Sequence, residues 1–164
     1  MTRRTLIKIV ALSFLVVINA FAQTDGGSPS ITTTGKPVTL RITLGSDDAF
    51  DMNRSILKEP AKDRLYLDVI APVLKWGQIT SITVTGHTDK LGSQDFNRRL
   101  SDRRAVAVKN YMIKQGVKGD VITTIGKGDS QPVKDCKQVM DRKSLAKCLA
   151  PNRRVVVEAK GTAK

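Results

Sequence analysis

The chain has 164 residues, with 28 Lys or Arg against 15 Asp or Glu and a formal net charge of +13. Aromatic residues make up 4% of it, too few for a groove that stacks sugar rings on exposed Trp or Tyr. The single histidine, His87, and two cysteines, Cys136 and Cys148, fall short of an ordinary zinc ligand set, so no metal or other cofactor is expected.

Residues 1–22 read as an export signal. Arg3, Arg4 and Lys8 precede an apolar run over 9–18, and Ala20-Phe21-Ala22 supplies the small-x-small pattern of a cleavage site. The run is short for a bilayer span, which takes ~20 residues. Cleavage after Ala22 is expected, with an uncleaved anchor as the alternative. No cysteine lies near the site, which argues against a lipoprotein. Losing those three basic residues takes the net charge from +13 to +10. Such a charge ordinarily suggests nucleic acid, but export argues against it. Lipid headgroups, lipopolysaccharide or a carboxylate-rich cell wall are the better partners.

Residues 23–36, small and polar, read as a flexible leader. Residues 37–44 alternate, with Val38, Leu40, Ile42 and Leu44 on one face of a strand. A loop leads to Pro60, suited to the first turn of a helix whose stripe is Tyr66, Val69, Ile70 and Val73. Pro72 should kink or shorten that helix. A second strand, 79–86, carries Ile79, Ile82 and Val84. The longest helix, 94–115, puts Leu100, Ala107, Val108, Tyr111 and Met112 on one side, and Gly116 ends it. A third strand spans 121–128, a short helix or ordered loop spans 137–147, and a last strand spans 153–160. The order β-α-β-α-β-(α)-β favours an α/β (α+β sandwich) fold, a small mixed β-sheet with helices packed on it.

Cys136 and Cys148 make an even count in an exported chain and suggest a disulfide. It closes a loop of about a dozen residues, a cross-link of roughly 3 kcal/mol in the chain-entropy model. A catalytic thiol paired with His87 is the weaker rival. No Ser/His/Asp set is evident, so an enzyme is not expected.

The stretch GHTDKLGSQDFNRRLSDRRAVAV, 86–108, raises a sharper question. Arg104 lies four residues from both Leu100 and Val108, so a permanent cation falls on an apolar line. Each notable residue has a plain reading too. Asp89 suits a turn, Asn97 a helix cap, and Arg153 a solvated strand end. Arg104 suits a structural salt bridge, and the sequence barely separates it from Arg103.

That stretch, with AFDMNRSIL (49–57), GVKGDVITTIGKGDSQPV (116–133) and CLAPNRRVVVEAKG (148–161), resembles the OmpA-like domain family. This is the C-terminal peptidoglycan-binding domain of outer membrane protein A, also found in peptidoglycan-associated lipoprotein and flagellar motor stator protein B. The resemblance spans about residues 37–161, leaving 162–164 as a tail. It implies a non-catalytic domain that binds peptidoglycan in the periplasm at the meso-diaminopimelate of the stem peptide. It also implies that Asp89 and Arg104 grip the ligand, with Asn53, Asn97 and Arg153 around them. Phe96 stands where the family has Tyr. The ligand ends in one ammonium and one carboxylate, which asks for a fixed anion and a planar cationic fork. Without ligand, Asp89 and Arg104 can pair with each other, which limits the cost of partly burying them. With only 23–36 ahead of the domain, a wall-binding domain exported without a barrel and without a membrane span is expected. A membrane-anchored adaptor is the alternative.

Overall fold

A computed structural model describes residues 35–139 and 141–164. The signal 1–22 and all of the leader but residues 35 and 36 lie outside the described residues. Among the described residues no helix is long and apolar enough to cross a membrane.

Four strands form one mixed sheet: β1 (Pro37–Gly45), β2 (Gln78–His87), β3 (Ile122–Gly126) and β4 (Arg154–Thr162), in the order β1-β4-β2-β3. β4 runs antiparallel to both β1 and β2, and β2 runs parallel to β3. Strand alternation sets the register. Leu40, Ala159, Ile82 and Ile122 share one rung, and Ile42, Val157 and Val84 share the next. These rungs face the core, whereas Thr43, Val156 and Thr85 share a rung of the opposite face.

α2 (Glu59–Leu65) starts with Pro60 in its first turn, where a missing N–H costs nothing. It runs through a π turn (Tyr66–Ile70) into α3 (Ala71–Val73). The N–H of Ala71 reaches back five residues to Tyr66, and Pro72 follows. The proline thus coincides with a widened turn and an early helix end. Leu65, Val69, Ile70 and Val73 are fully buried there, each contributing about 1.5–3 kcal/mol of transfer free energy. Tyr66 is not part of that stripe: it is 40% exposed.

α4 (Gln94–Lys114) connects the parallel strands β2 and β3. Its buried face is Asn97, Leu100, Ser101, Arg104, Ala105, Val108 and Met112. Ala107 and Tyr111 are only half-buried, and Ser101 and Ala105 take the inner positions. The reason is close approach. A Cβ on Gly86 would stand 2.1 Å from the Ser101 carbonyl, and one on Gly126 would stand 2.7 Å from the Asp102 nitrogen. The helix backbone therefore comes closest to the sheet at Ser101 and Asp102, where Gly86 and Gly126 leave the room. Gly116 ends the helix with φ 97.

α1 (Ser46–Ala49) is a single turn after β1, and α5 (Arg142–Cys148) is the short helix between the cysteines. Asp141 caps α5 by accepting from Ser144 N. Cys136 and Cys148 form a disulfide.

Candidate functional site

The site forms where β1 and β2 end and β4 begins. Gly45, Arg154 and His87 lie on one rung there. Just beyond it, α1 supplies Asp47, the turn after β2 supplies Asp89, and Arg153 precedes β4. α4 brings Asn97 and Arg104 to the same place from below.

Arg153 joins two carboxylates. Its Nη1 donates to Asp89 Oδ2 at 2.6 Å and to the Ala146 carbonyl of α5 at 2.9 Å. Its Nε donates to Asp47 Oδ1 at 2.7 Å, and its Nη2 donates to Asp47 Oδ2. This two-pronged contact is the strong form of an arginine–carboxylate pair. The Arg153 hydrogen bond holds the Asp47 carboxyl below its usual 3.8. The Asp47 bond, and then the Asp89 bond, push Arg153 upward against its partial burial.

Asp89 is 6% exposed. Its Oδ1 accepts from Leu91 N at 2.9 Å, the Asx turn its residue type favours. Its backbone carbonyl accepts from Asn97 Nδ2 at 3.1 Å. Asn97 thus fixes the loop that carries Asp89. It is not the helix cap, since Ser93 accepts from Phe96 N and holds that role.

Arg104 is 3% exposed. Its Nε donates to the Arg54 carbonyl at 3.0 Å and its Nη2 to the Asp51 carbonyl at 3.4 Å. The guanidinium carbon lies 5.0 Å from the centroid of the Phe50 ring, a cation–π arrangement. Burial lowers its pKa, and the fields of Asp47 and Asp89 partly restore it. Two of its five N–H groups meet protein acceptors among the described residues, so the remaining edge is left to donate elsewhere.

Asp89 and Arg104, which the sequence allowed to pair, each take other partners. The β2–β4 register explains it: His87 opposes Arg154, so Arg153 comes opposite the turn that carries Asp89. Arg153 reaches that carboxylate first. Arg104 is drawn instead to the carbonyls of loop 51–54.

Asn53 is exposed and has φ 55. It occupies the turn closed by Arg54 N donating to the Asp51 carbonyl at 3.0 Å. Asn tolerates this left-handed conformation. The turn aims the two carbonyls that hold Arg104, so the visible work of Asn53 is done by its backbone.

Sequence reasoning missed Asp47, Phe50 and the carbonyls of Asp51, Arg54 and Ala146. Asp47 gave only a faint signal, an acid just past a strand, as in many helix first turns. Backbone carbonyls leave no residue-type signature.

The pairing of His87 with a reactive thiol is excluded, because both cysteines are in the disulfide. Burial, with Arg154, Lys127 and Arg41, lowers the His87 pKa to about 4. Among the described residues no cluster of His, Cys, Asp or Glu is placed to hold a metal ion.

The comparisons place the chain's family and fold. The model of the OmpA family matches residues 49–146. Outer membrane protein A of Yersinia pseudotuberculosis is 38% identical over 150 residues, covering 86% of this chain and 42% of the relative. The chain therefore spans less than half the length of that curated relative. The cell wall anchor of the T6SS from Pseudomonas aeruginosa shares the fold with a TM-score of 0.58 and 23% identity, over 76% of this chain and 81% of that one. The peptidoglycan-associated lipoprotein from Burkholderia pseudomallei does so with a TM-score of 0.56 and 22% identity, over 68% and 86%.

A four-stranded mixed sheet, here with Asp89 and Arg104 buried at one end, is the fold these relatives share around the matched segment. The chain belongs to the OmpA family, whose domains are non-enzymatic.

Proposed function

We propose that this chain is a periplasmic peptidoglycan-binding domain that grips the amino-acid head of meso-diaminopimelate in the stem peptide. One observation carries the reading: Asp89 and Arg104, both almost fully buried, lie at the same end of the sheet without pairing, each with unused hydrogen-bonding capacity. Asp89 Oδ1 and Oδ2 each accept one protein hydrogen bond, while a carboxylate has about four acceptor sites. The ligand ammonium takes the rest. The ligand carboxylate lies on the free edge of Arg104. Arg153 holds Asp89 in place, Asn97 holds its loop, and the Asn53 turn holds Arg104. Such charge-assisted bonds contribute roughly 1.5–3 kcal/mol each.

The names of the relatives support the envelope as its place, and the basic-apolar-AxA order of residues 1–22 supports export with cleavage after Ala22. Intact mass of the exported protein checks the latter: retention of Met1 to Ala22 contradicts it. The binding test is co-sedimentation with purified sacculi. Wild-type protein is expected to pellet, and soluble meso-diaminopimelate is expected to release it. Pelleting that salt abolishes and diaminopimelate leaves untouched would assign binding to the basic surface instead.

A further inference from the structure

A cleft of about 400 Å³ opens beside the clamp. Its lining includes Thr88, Lys90 and Asn152, the immediate chain neighbours of Asp89 and Arg153. The cleft and the clamp therefore share two backbone segments. The rest of the lining comes mainly from loop 132–135, with the buried side chain of Leu149.

The cleft is preformed. Asn152 Oδ1 accepts from Val133 N and Lys134 N, both at 2.8 Å, and its Nδ2 donates to the Lys134 carbonyl at 2.8 Å. Three hydrogen bonds from one side chain pin the loop. The Cys136–Cys148 disulfide fastens the chain just after it.

Two features of the lining are not satisfied within the fold. Thr88 is 5% exposed, and its Oγ1 is buried with no hydrogen-bond partner. Lys90 Nζ stands 3.9 Å from Asp135 Oδ1, at the outer limit of an ion pair, and both side chains are half exposed. An ammonium with three donors and one distant acceptor is free to take a second carboxylate. Val133, Pro132 and Leu149 supply apolar surface beside it.

Resting on the clamp reading above, we propose that this cleft is a second subsite. It seats the stem-peptide residue that follows diaminopimelate, and Lys90 takes that peptide's terminal carboxylate. Diaminopimelate has two amino-acid ends separated by three methylenes. With the free end in the clamp, the other end continues the peptide chain, and its next residue is small and apolar with a carboxylate when it terminates. The cleft offers Lys90 and an apolar wall to match, with Lys134, Asp129 and Asp135 also in its lining. The domain would then prefer uncross-linked stems with a free terminus over amidated or extended ones.

Isothermal titration of the full chain with three probes tests this: free meso-diaminopimelate, a diaminopimelate-containing tetrapeptide with a terminal carboxylate, and the same tetrapeptide as a carboxamide. Wild-type protein is expected to bind the carboxylate form about threefold to fivefold tighter than the carboxamide, the effect of one half-exposed ion pair. Lys90→Gln is expected to erase that preference and leave the affinity for free diaminopimelate unchanged. A preference that survives Lys90→Gln, or an equal loss on all three probes, overturns the subsite and leaves the clamp standing. Failure of wild-type protein to bind any of the three removes the clamp and the subsite together.

Discussion

Asp89 and Arg153 are joined by a 2.6 Å hydrogen bond, and the same Arg153 nitrogen also donates to the Ala146 carbonyl of α5. The carboxylate of the proposed clamp is thus tied through one arginine to the helix between the cysteines. With Asp47 on the other edge of the guanidinium, Arg153 is held on three sides. A side chain fixed this well loses little freedom when a ligand arrives, which favours tight binding.

Asp47→Asn is expected to loosen Arg153 and weaken diaminopimelate binding by about twofold to fivefold, with the fold intact by circular dichroism. Asp47 also gives stability a pH dependence. Its folded pKa lies below 3.8, so its contribution is present above that value and lost as pH falls through the folded pKa. Acid unfolding followed by fluorescence should show less loss below pH 3.8 in Asp47→Asn than in wild type. Identical acid profiles would contradict the role of the pair.

Asn53 separates backbone work from side-chain work. Its φ of 55 suits Asn or Gly and opposes Ala. Asn53→Gly is expected to keep binding, while Asn53→Ala is expected to cost about 1–2 kcal/mol of stability and weaken binding through the displaced carbonyls. Equal loss of affinity in both variants, with stability unchanged, would mean that the amide itself touches the ligand.

Folded His87 titrates near 4, against an ordinary 6.5. Between those values the unfolded chain binds a proton that the folded chain refuses, so stability should fall as pH drops from 6.5 toward 4. His87→Gln should flatten the melting temperature across that window. An unchanged slope in the variant would place the titrating group elsewhere.

The disulfide is expected to add stability without forming part of the ligand contact. Replacing Cys136 and Cys148 with Ser should lower stability by roughly 3 kcal/mol in the chain-entropy limit. Binding should persist at reduced affinity, because α5 still offers the Ala146 carbonyl but less firmly. Free thiols in periplasmic material by non-reducing mass spectrometry would contradict the cross-link.

Much of this fold was legible because it follows local periods. Leu40, Ile42 and Leu44 announce β1 by alternation, and Gly116 announces the end of α4. The buried face of α4 was harder to read. Gly86 and Gly126 draw the helix so close that Ser101 and Ala105 become core and Ala107 does not. In the site, Asp89, Asn97, Arg104 and Arg153 stood out through the family resemblance, each having a plain reading on its own, and the fold brings all four to one end of the sheet. Their partners did not stand out. That Arg153 holds Asp89 depends on the β2–β4 register, a pairing between residues 64 apart. That Arg104 meets the Asp51 and Arg54 carbonyls depends on a turn conformation no composition reveals.

Titration of meso-diaminopimelate into wild type, Asp89→Asn and Arg104→Lys tests the clamp most directly. Asp89→Asn keeps the side-chain shape and removes the anion, and Arg104→Lys keeps the charge and removes the planar fork. Each variant is expected to bind at least about tenfold more weakly than wild type while remaining folded by circular dichroism. Affinity in Asp89→Asn equal to or above that of wild type would contradict the clamp and leave the basic surface as the binder.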